Sequence, residues 1–380
     1  MWDGMNQMDT QNLFLGEMKE YFGGRTNRIR HASTLTNHGM RLHRQRLAKY
    51  GYWIDYGIEY RSDKSVYSEN ERFSDALYKV TCTMIPVFLT TNYVSNGRLV
   101  FAAKEEKKFT TYMEDLADGR TTLNEDEVIN CPNCGYAGTV NDFRSGCVGC
   151  GTHFEMTDVY PSVGTYFFMD DLSAATSNSS EPGQRSGNVV DGYKKVFKIL
   201  AKAPMVLDAA STISLKSLKE YQDFMRPYRP DFSYVHFANE ALSMMTMMLY
   251  SDAPEKLPFN KMMNNSFIIA PNLIDFTIEG FGMNHGDYAI EGNVARVTCT
   301  LYMTSVYDEG GRIRKARDKF QATFLRDISK PISQGFSFTR INCSSCAGVF
   351  DAMNGKFCPY CGKEYTLNNE EWVIVDMRRA

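Results

Sequence analysis

Residues 129–154 read INCPNCGYAGTVNDFRSGCVGCGTHF, and residues 341–365 read INCSSCAGVFDAMNGKFCPYCGKEY. Each stretch carries two Cys-x-x-Cys pairs, Cys131, Cys134, Cys147 and Cys150 in the first and Cys343, Cys346, Cys358 and Cys361 in the second. Two such pairs at this separation are the spacing of a zinc ribbon. Each pair bends the backbone into a knuckle that aims two thiolates at one point, and two knuckles complete a tetrahedron around a cation that accepts soft ligands. Glycine follows three of the four knuckles, at Gly135, Gly151 and Gly362, where the turn calls for a positive φ, and Ala347 takes the fourth place. Iron in a four-thiolate site shares the spacing, and disulfides would need an oxidising compartment. The expectation is two structural Zn²⁺ per chain. Four thiolates leave no open position for a reactive water, and a ribbon this short folds only because metal binding contributes on the order of 10 to 16 kcal/mol.

Working outward, the repeat is longer than the ribbon. Upstream, Val80-Thr81-Cys82-Thr83 matches Val297-Thr298-Cys299-Thr300; Asn96-Gly97 and Gly310-Gly311 read as hairpin turns; Lys108-Phe109 matches Lys319-Phe320. Downstream, TYFFMDDL from Thr165 echoes EWVIVDM from Glu371. The unit is strand, hairpin, strand, ribbon, strand, so each ribbon is an insertion between neighbouring strands of one sheet, and the unit occurs twice. Cys82 and Cys299 hold equivalent places and read as buried core thiols.

Helical patterns precede each sheet, at about 7 to 22 and 38 to 50 in the first half and at about 189 to 204 and 212 to 225 in the second. In DFSYVHFANEALSMMTMMLYS, Phe237, Ala241, Met244, Met245 and Met248 fall on one helical face. GYWIDYGIEYR reads as a strand, and SFIIAPNLIDFTIEGFG as another, with Ile274, Phe276 and Ile278 inward and Asp275, Thr277 and Glu279 outward. Residues 173–188 are small and polar, a linker. The expectation is an α+β protein of two related domains, each of helices on a curved antiparallel sheet with an inserted ribbon. The first spans 1–172 with its ribbon at about 129–155, the second 189–380 with its ribbon at about 341–366.

The second half resembles the bacterial relatives of the C-terminal domain of the translocase-of-inner-membrane subunit 44, of the nuclear transport factor 2-like superfamily. The residues that carry this are Asp231-Phe232-Ser233 with Phe237, KLPFN at Lys256 to Asn260, the strands VARVTCTLYM and FQATFLRD, the four ribbon cysteines and Trp372, over about residues 231 to 378. The first half shares only the sheet and ribbon. The resemblance implies a cone-like domain and a binding role, as in mitochondrial members that tether an import motor at an anionic membrane; it implies no reaction.

The 380 residues allow two or three domains, and 43% apolar with 23% charged residues is a soluble globular composition. No apolar run is long enough to cross a bilayer and the N-terminus shows no secretory pattern, so a cytoplasmic location is expected. Net charge is −3, but residues 24–49 carry Arg25, Arg28, Arg30, Arg41, Arg44, Arg46 and Lys49 with no acid. That segment could meet an acidic protein, a nucleic-acid backbone or, peripherally, an anionic membrane. The ribbons themselves are electrically balanced, Asp142 against Arg144 and Asp351 against Lys356, which weakens a nucleic-acid reading. An acid–base enzyme or small-ligand binder would need an acid or histidine in an apolar cavity, for which His236 and Asp55, beside Trp53 and Tyr56, are the candidates. No His-Glu-x-x-His, phosphate loop or nucleophile elbow is present. The chain therefore reads first as a non-enzymatic scaffold or adaptor for a protein partner, in transport or at a membrane surface, with nucleic-acid binding as the alternative and a ligand-binding or acid–base role behind it.

Overall fold

A helix opens each half. The computed structural model describes residues 7–27, 29–60, 71–74, 78–116, 128–131, 134–139, 146–151, 163–170, 220–230, 232, 234–262, 272–283, 287–329, 341–343, 345–346, 348–350, 352–354, 357–365 and 371–380. Helix α1 (Gln7–Phe22) buries Phe14, Leu15, Met18 and Phe22 at helical spacing. Helix α2 (Thr34–Lys49) starts four residues before the sequence-based boundary, because Ser33 caps it: its Oγ accepts from the Thr36 N–H at 3.2 Å. Helix α3 (Tyr234–Tyr250) is the methionine-rich segment.

The strands repeat one wiring. In the first half, β1 (Trp53–Tyr60), β3 (Tyr78–Ser95), β4 (Arg98–Leu116) and β7 (Thr165–Asp170) lie in that order, with β2 (Glu71–Ser74) beside β3. In the second, β8 (Leu273–Gly282), β10 (Val294–Asp308), β11 (Ile313–Asp327) and β14 (Val373–Arg379) take the same order, with β9 (Tyr288–Glu291) beside β10. All these pairings are antiparallel. The short hairpins β5 (Val128–Asn130) with β6 (Ala137–Thr139) and β12 (Ile341–Asn342) with β13 (Val349–Phe350) interrupt the chain between β4 and β7 and between β11 and β14. The protein is thus α+β with antiparallel sheets.

Both long hairpins turn at the expected residues. Asn96 and Gly97 have φ of 48° and 72°, and Gly310 and Gly311 have 69° and 91°, the two positive angles that match a tight turn to the right-handed strand twist. The likeness also reaches beyond the sequence match. After α1, the His31 and Ser33 backbones bond Val163 just before β7; after α3, the Phe259 and Lys261 backbones bond Ile374 in β14. Helix α2 has no counterpart among the described residues of the second half.

The two halves interlock. Helix α2 lies against α3, and β7 runs close to β8. Met84 and Tyr112 of the first sheet belong to the core around α3, while Ile274 and Val306 of the second sheet belong to the core around α1. This packing corrects two expectations. Helix α3 is buried well beyond the expected face, with Ala238, Leu242, Met247 and Leu249 covered too, because it lies between its own sheet and α2. Asp275 was expected to face solvent from β8; it is buried, because the first half covers that side.

The linker, the 189–204 helix and most of the 212–225 helix lie outside the described residues, where only 220–225 are seen to be helical. Cys299 is fully buried, as expected; the side chain of Cys82 lies outside what is described. No helix among the described residues is long and apolar enough to cross a membrane.

Candidate metal centres

In each ribbon the first cysteine of each knuckle is buried and the second exposed, giving two clusters of four sulfurs that all lie within 4.8 Å of one another. The Sγ–Sγ separations are 3.7 Å for Cys131–Cys150, 3.6 Å for Cys134–Cys147, 3.6 Å for Cys343–Cys361 and 3.6 Å for Cys346–Cys358. A tetrahedron with metal–sulfur bonds of about 2.3 Å has edges of roughly 3.8 Å, whereas a disulfide brings sulfurs to about 2.05 Å. The clusters fit the ion and not the bond.

The knuckles arise locally. Gly135, Gly151 and Gly362 sit at φ of 72°, 71° and 72°, and their N–H groups donate to Cys131, Cys147 and Cys358 carbonyls at 2.9, 2.7 and 2.9 Å. Backbone N–H groups of Cys346 and Ser345 hold the Cys343 thiol down at about 6. At Cys346 an N–H from Gly348 works in the same direction, but burial and the sulfurs of Cys361, Cys358 and Cys343 outweigh it and push that thiol up to about 12. Four adjacent sulfurs resist ionising together, and a dication removes the conflict. These residues would hold two metal ions, one per ribbon, in closed sites whose chemistry is to clamp the backbone.

An aromatic ring covers a glycine in each ribbon, from opposite knuckles. Tyr136, after the first knuckle, lies over Gly149 in the second, where an added Cβ would stand 3.2 Å from the Tyr136 Cβ. Tyr360, inside the second knuckle, lies over Gly348 after the first, where an added Cβ would come within 2.5 Å of Cδ2. The large and small residues have exchanged places between the copies while the contact persists. The ribbons touch through β6 and β13. Among the described residues they expose large apolar side chains: Tyr136, Val148, Phe357 and Tyr360 are 38%, 70%, 61% and 58% exposed.

The basic segment is not one free face. Arg46 is buried, with Nε donating to the Leu273 carbonyl at 2.8 Å and Nη1 to Asp252 at 2.7 Å; Lys49 reaches the same carboxylate at 2.9 Å. Both tie the first half to the second. Arg44 donates to the Thr26 carbonyl at 2.7 Å and lies over the Tyr21 ring, Arg41 meets His38 at 2.6 Å, and Arg25 pairs with Glu20 at 2.6 Å. The Arg30 backbone N–H donates to Glu17 at 2.8 Å, and Arg28 lies outside the described residues.

Of the acid–base candidates, Asp55 points to solvent and the His236 side chain lies outside what is described. An acid that is buried where the two halves meet is Asp275, which the sequence reading passed over. It accepts from the Tyr93 hydroxyl at 2.6 Å, the Tyr250 hydroxyl at 3.1 Å and the Phe276 N–H at 2.7 Å. His43 Nε2 stands 3.0 Å from its Oδ1 but off the line of a good hydrogen bond, so charge and proximity rather than alignment carry that contact. Burial pushes the Asp275 carboxyl up; the His43 charge, with the bonds just named, outweighs it and holds the carboxyl below the usual aspartate value. Burial first, and then the Asp275 charge, push Tyr93 and Tyr250 well above the ordinary tyrosine value, which keeps both as donors. The signal in the sequence was an Asp set between the apolar Ile274 and Phe276.

No protein-family model matches the chain, and no curated protein or solved structure is similar to it.

Proposed function

We propose that this protein is a non-enzymatic scaffold whose two zinc-clamped ribbons, side by side, offer one apolar surface to a protein partner. In this reading the halves are copies of one cone-like unit of the kind found in the C-terminal domain of the translocase-of-inner-membrane subunit 44 relatives. The repeated strand order supports the copying. The observation that carries the function is the exposure of Tyr136, Val148, Phe357 and Tyr360 on ribbons whose cysteine clusters leave the metal no catalytic position. The engagement of Arg44, Arg46 and Lys49 within the fold favours a protein partner over a nucleic acid.

The purified chain should carry two zinc ions, and Cys358→Ser should leave one. Cross-linked in its own cells, the chain should retain a protein that Phe357→Ser with Tyr360→Ser loses while still holding both ions. Retention of the same protein by that variant, or release of the partner by nuclease, would overturn the assignment.

A further inference from the structure

A second feature lies away from the ribbons. Where α2, the first sheet, α3 and the second sheet meet, they line an open cleft of about 100 Å³. Neither half builds it alone: Met40 and His43 come from α2, Tyr56 and Tyr166 from the first sheet, Thr246 from α3 and Ile278 from the second sheet.

The charges in its wall are already matched. Asp275 is held by Tyr93, Tyr250 and His43, as described above, and Lys315 Nζ lies 3.1 Å from Glu105. A charged guest would find no free counter-charge in this wall and would lose its hydration there, at a cost of several kcal/mol. The lining therefore selects against ions. What it offers is ring surface. His43 stacks on Tyr250 at 4.2 Å between centroids, Tyr250 on Phe276 at 4.6 Å, and Tyr56 leans on Phe168 at 6.2 Å. Two hydroxyls are also available: among the described residues, neither Tyr56 nor Tyr166 has a hydrogen-bond partner, and both hydroxyls are open to solvent. A guest that displaces solvent from them without replacing its hydrogen bonds loses affinity, so one that bonds them is favoured. Volume sets the upper size: a cavity of about 150 Å³ takes up benzene, so this smaller, open cleft holds no more than one ring, with part of it toward solvent.

We infer that this cleft is a binding site for a neutral, single-ring aromatic molecule bearing a hydroxyl or amide group, held between the aromatic walls with its polar group on the Tyr56 and Tyr166 hydroxyls. The inference is independent of the ribbon reading, because no ribbon residue lines the cleft.

The test uses the full zinc-loaded chain with 4-fluorophenol as probe, followed by fluorine NMR and calorimetry, beside benzoate and benzylammonium. Saturable one-to-one binding of the phenol is expected, with the two ions at least about tenfold weaker. Ser243→Leu on α3 fills the space and should abolish binding with no loss of thermal stability. Tyr56→Phe with Tyr166→Phe should weaken fluorophenol several-fold and leave fluorobenzene unchanged; this pair decides the matter if the filled variant does not fold. Unsaturable uptake of the phenol, equal binding of the ions, or unchanged binding by a folded Ser243→Leu chain would overturn the assignment.

Discussion

Asp275 shows how much one side chain can hold together. Its carboxylate sits on β8 of the second half, and two of its partners, Tyr93 on β3 and His43 on α2, belong to the first. Asparagine keeps the shape but has one acceptor oxygen in place of two, so the Tyr93 and Tyr250 hydroxyls cannot both keep their acceptor, and a buried group left unsatisfied costs about 1 to 3 kcal/mol. Asp275→Asn should therefore lower the unfolding free energy by about 1 to 3 kcal/mol in urea titrations at neutral pH. The pH dependence follows from the sign of the shift. The folded carboxyl is lowered from the ordinary value of 3.8, so its contribution is complete above that value and is lost as pH falls below it toward the folded value. The stability difference between wild type and Asp275→Asn should then shrink as pH falls below the ordinary carboxylate range. A difference that grew below that range would mean that burial outweighs the partners of this carboxylate.

At the level of elements, periodicity and turn chemistry carried most of the reading. The knuckles, both hairpin turns, β1 and α1 were legible because each is decided by local residues: Cys-x-x-Cys with a following glycine, Asn96-Gly97, alternation, and apolar spacing. The start of α2 was missed because Ser33 lies before any apolar periodicity begins. The extended burial of α3 and the inward face of Asp275 were not legible, since both depend on a partner more than a hundred residues away in the chain. Two glycines test whether conformation or space governs the local rules. At Gly16, inside α1, and at Gly97, in the β3–β4 turn, an added Cβ would meet nothing within 4 Å, yet only Gly97 has a positive φ, 72°. Gly16→Ala should stabilise by about 0.5 to 1 kcal/mol through helix propensity, and Gly97→Ala should destabilise by about 1 to 2 kcal/mol through left-handed strain. Thermal melts of the two variants should move in opposite directions; movement in the same direction would mean that one of these backbones is misassigned.

Across the whole molecule, the duplication and the interlocking pull in different directions. A doubled sheet wiring suggests two units that could stand apart, and the sequence encourages that view with a small, polar stretch at 173–188. The packing opposes it. Met84 and Tyr112 complete the second core, Ile274 and Val306 complete the first, and α3 would expose Met247 without α2 against it. Polar ties follow the same seam, with Arg46 on the Leu273 carbonyl and Asp252, Tyr52 on Asp308 at 3.0 Å, and Lys315 on Glu105. Truncating one buried large apolar side chain costs about 2 to 5 kcal/mol, and separating the halves uncovers several such side chains at once, against a total domain stability of about 5 to 15 kcal/mol. Residues 1–172 and 189–380 produced separately should therefore each lack a cooperative thermal transition. Mixed or co-expressed, they should associate one to one and regain it, with a concentration-dependent midpoint. Each half alone should still bind one zinc ion, because the ribbon sulfurs are all local. A sharp, independent melt of either isolated half would show that the repeat is two domains in contact, and the seam through Asp275 would then be an accessory of the fold instead of its centre.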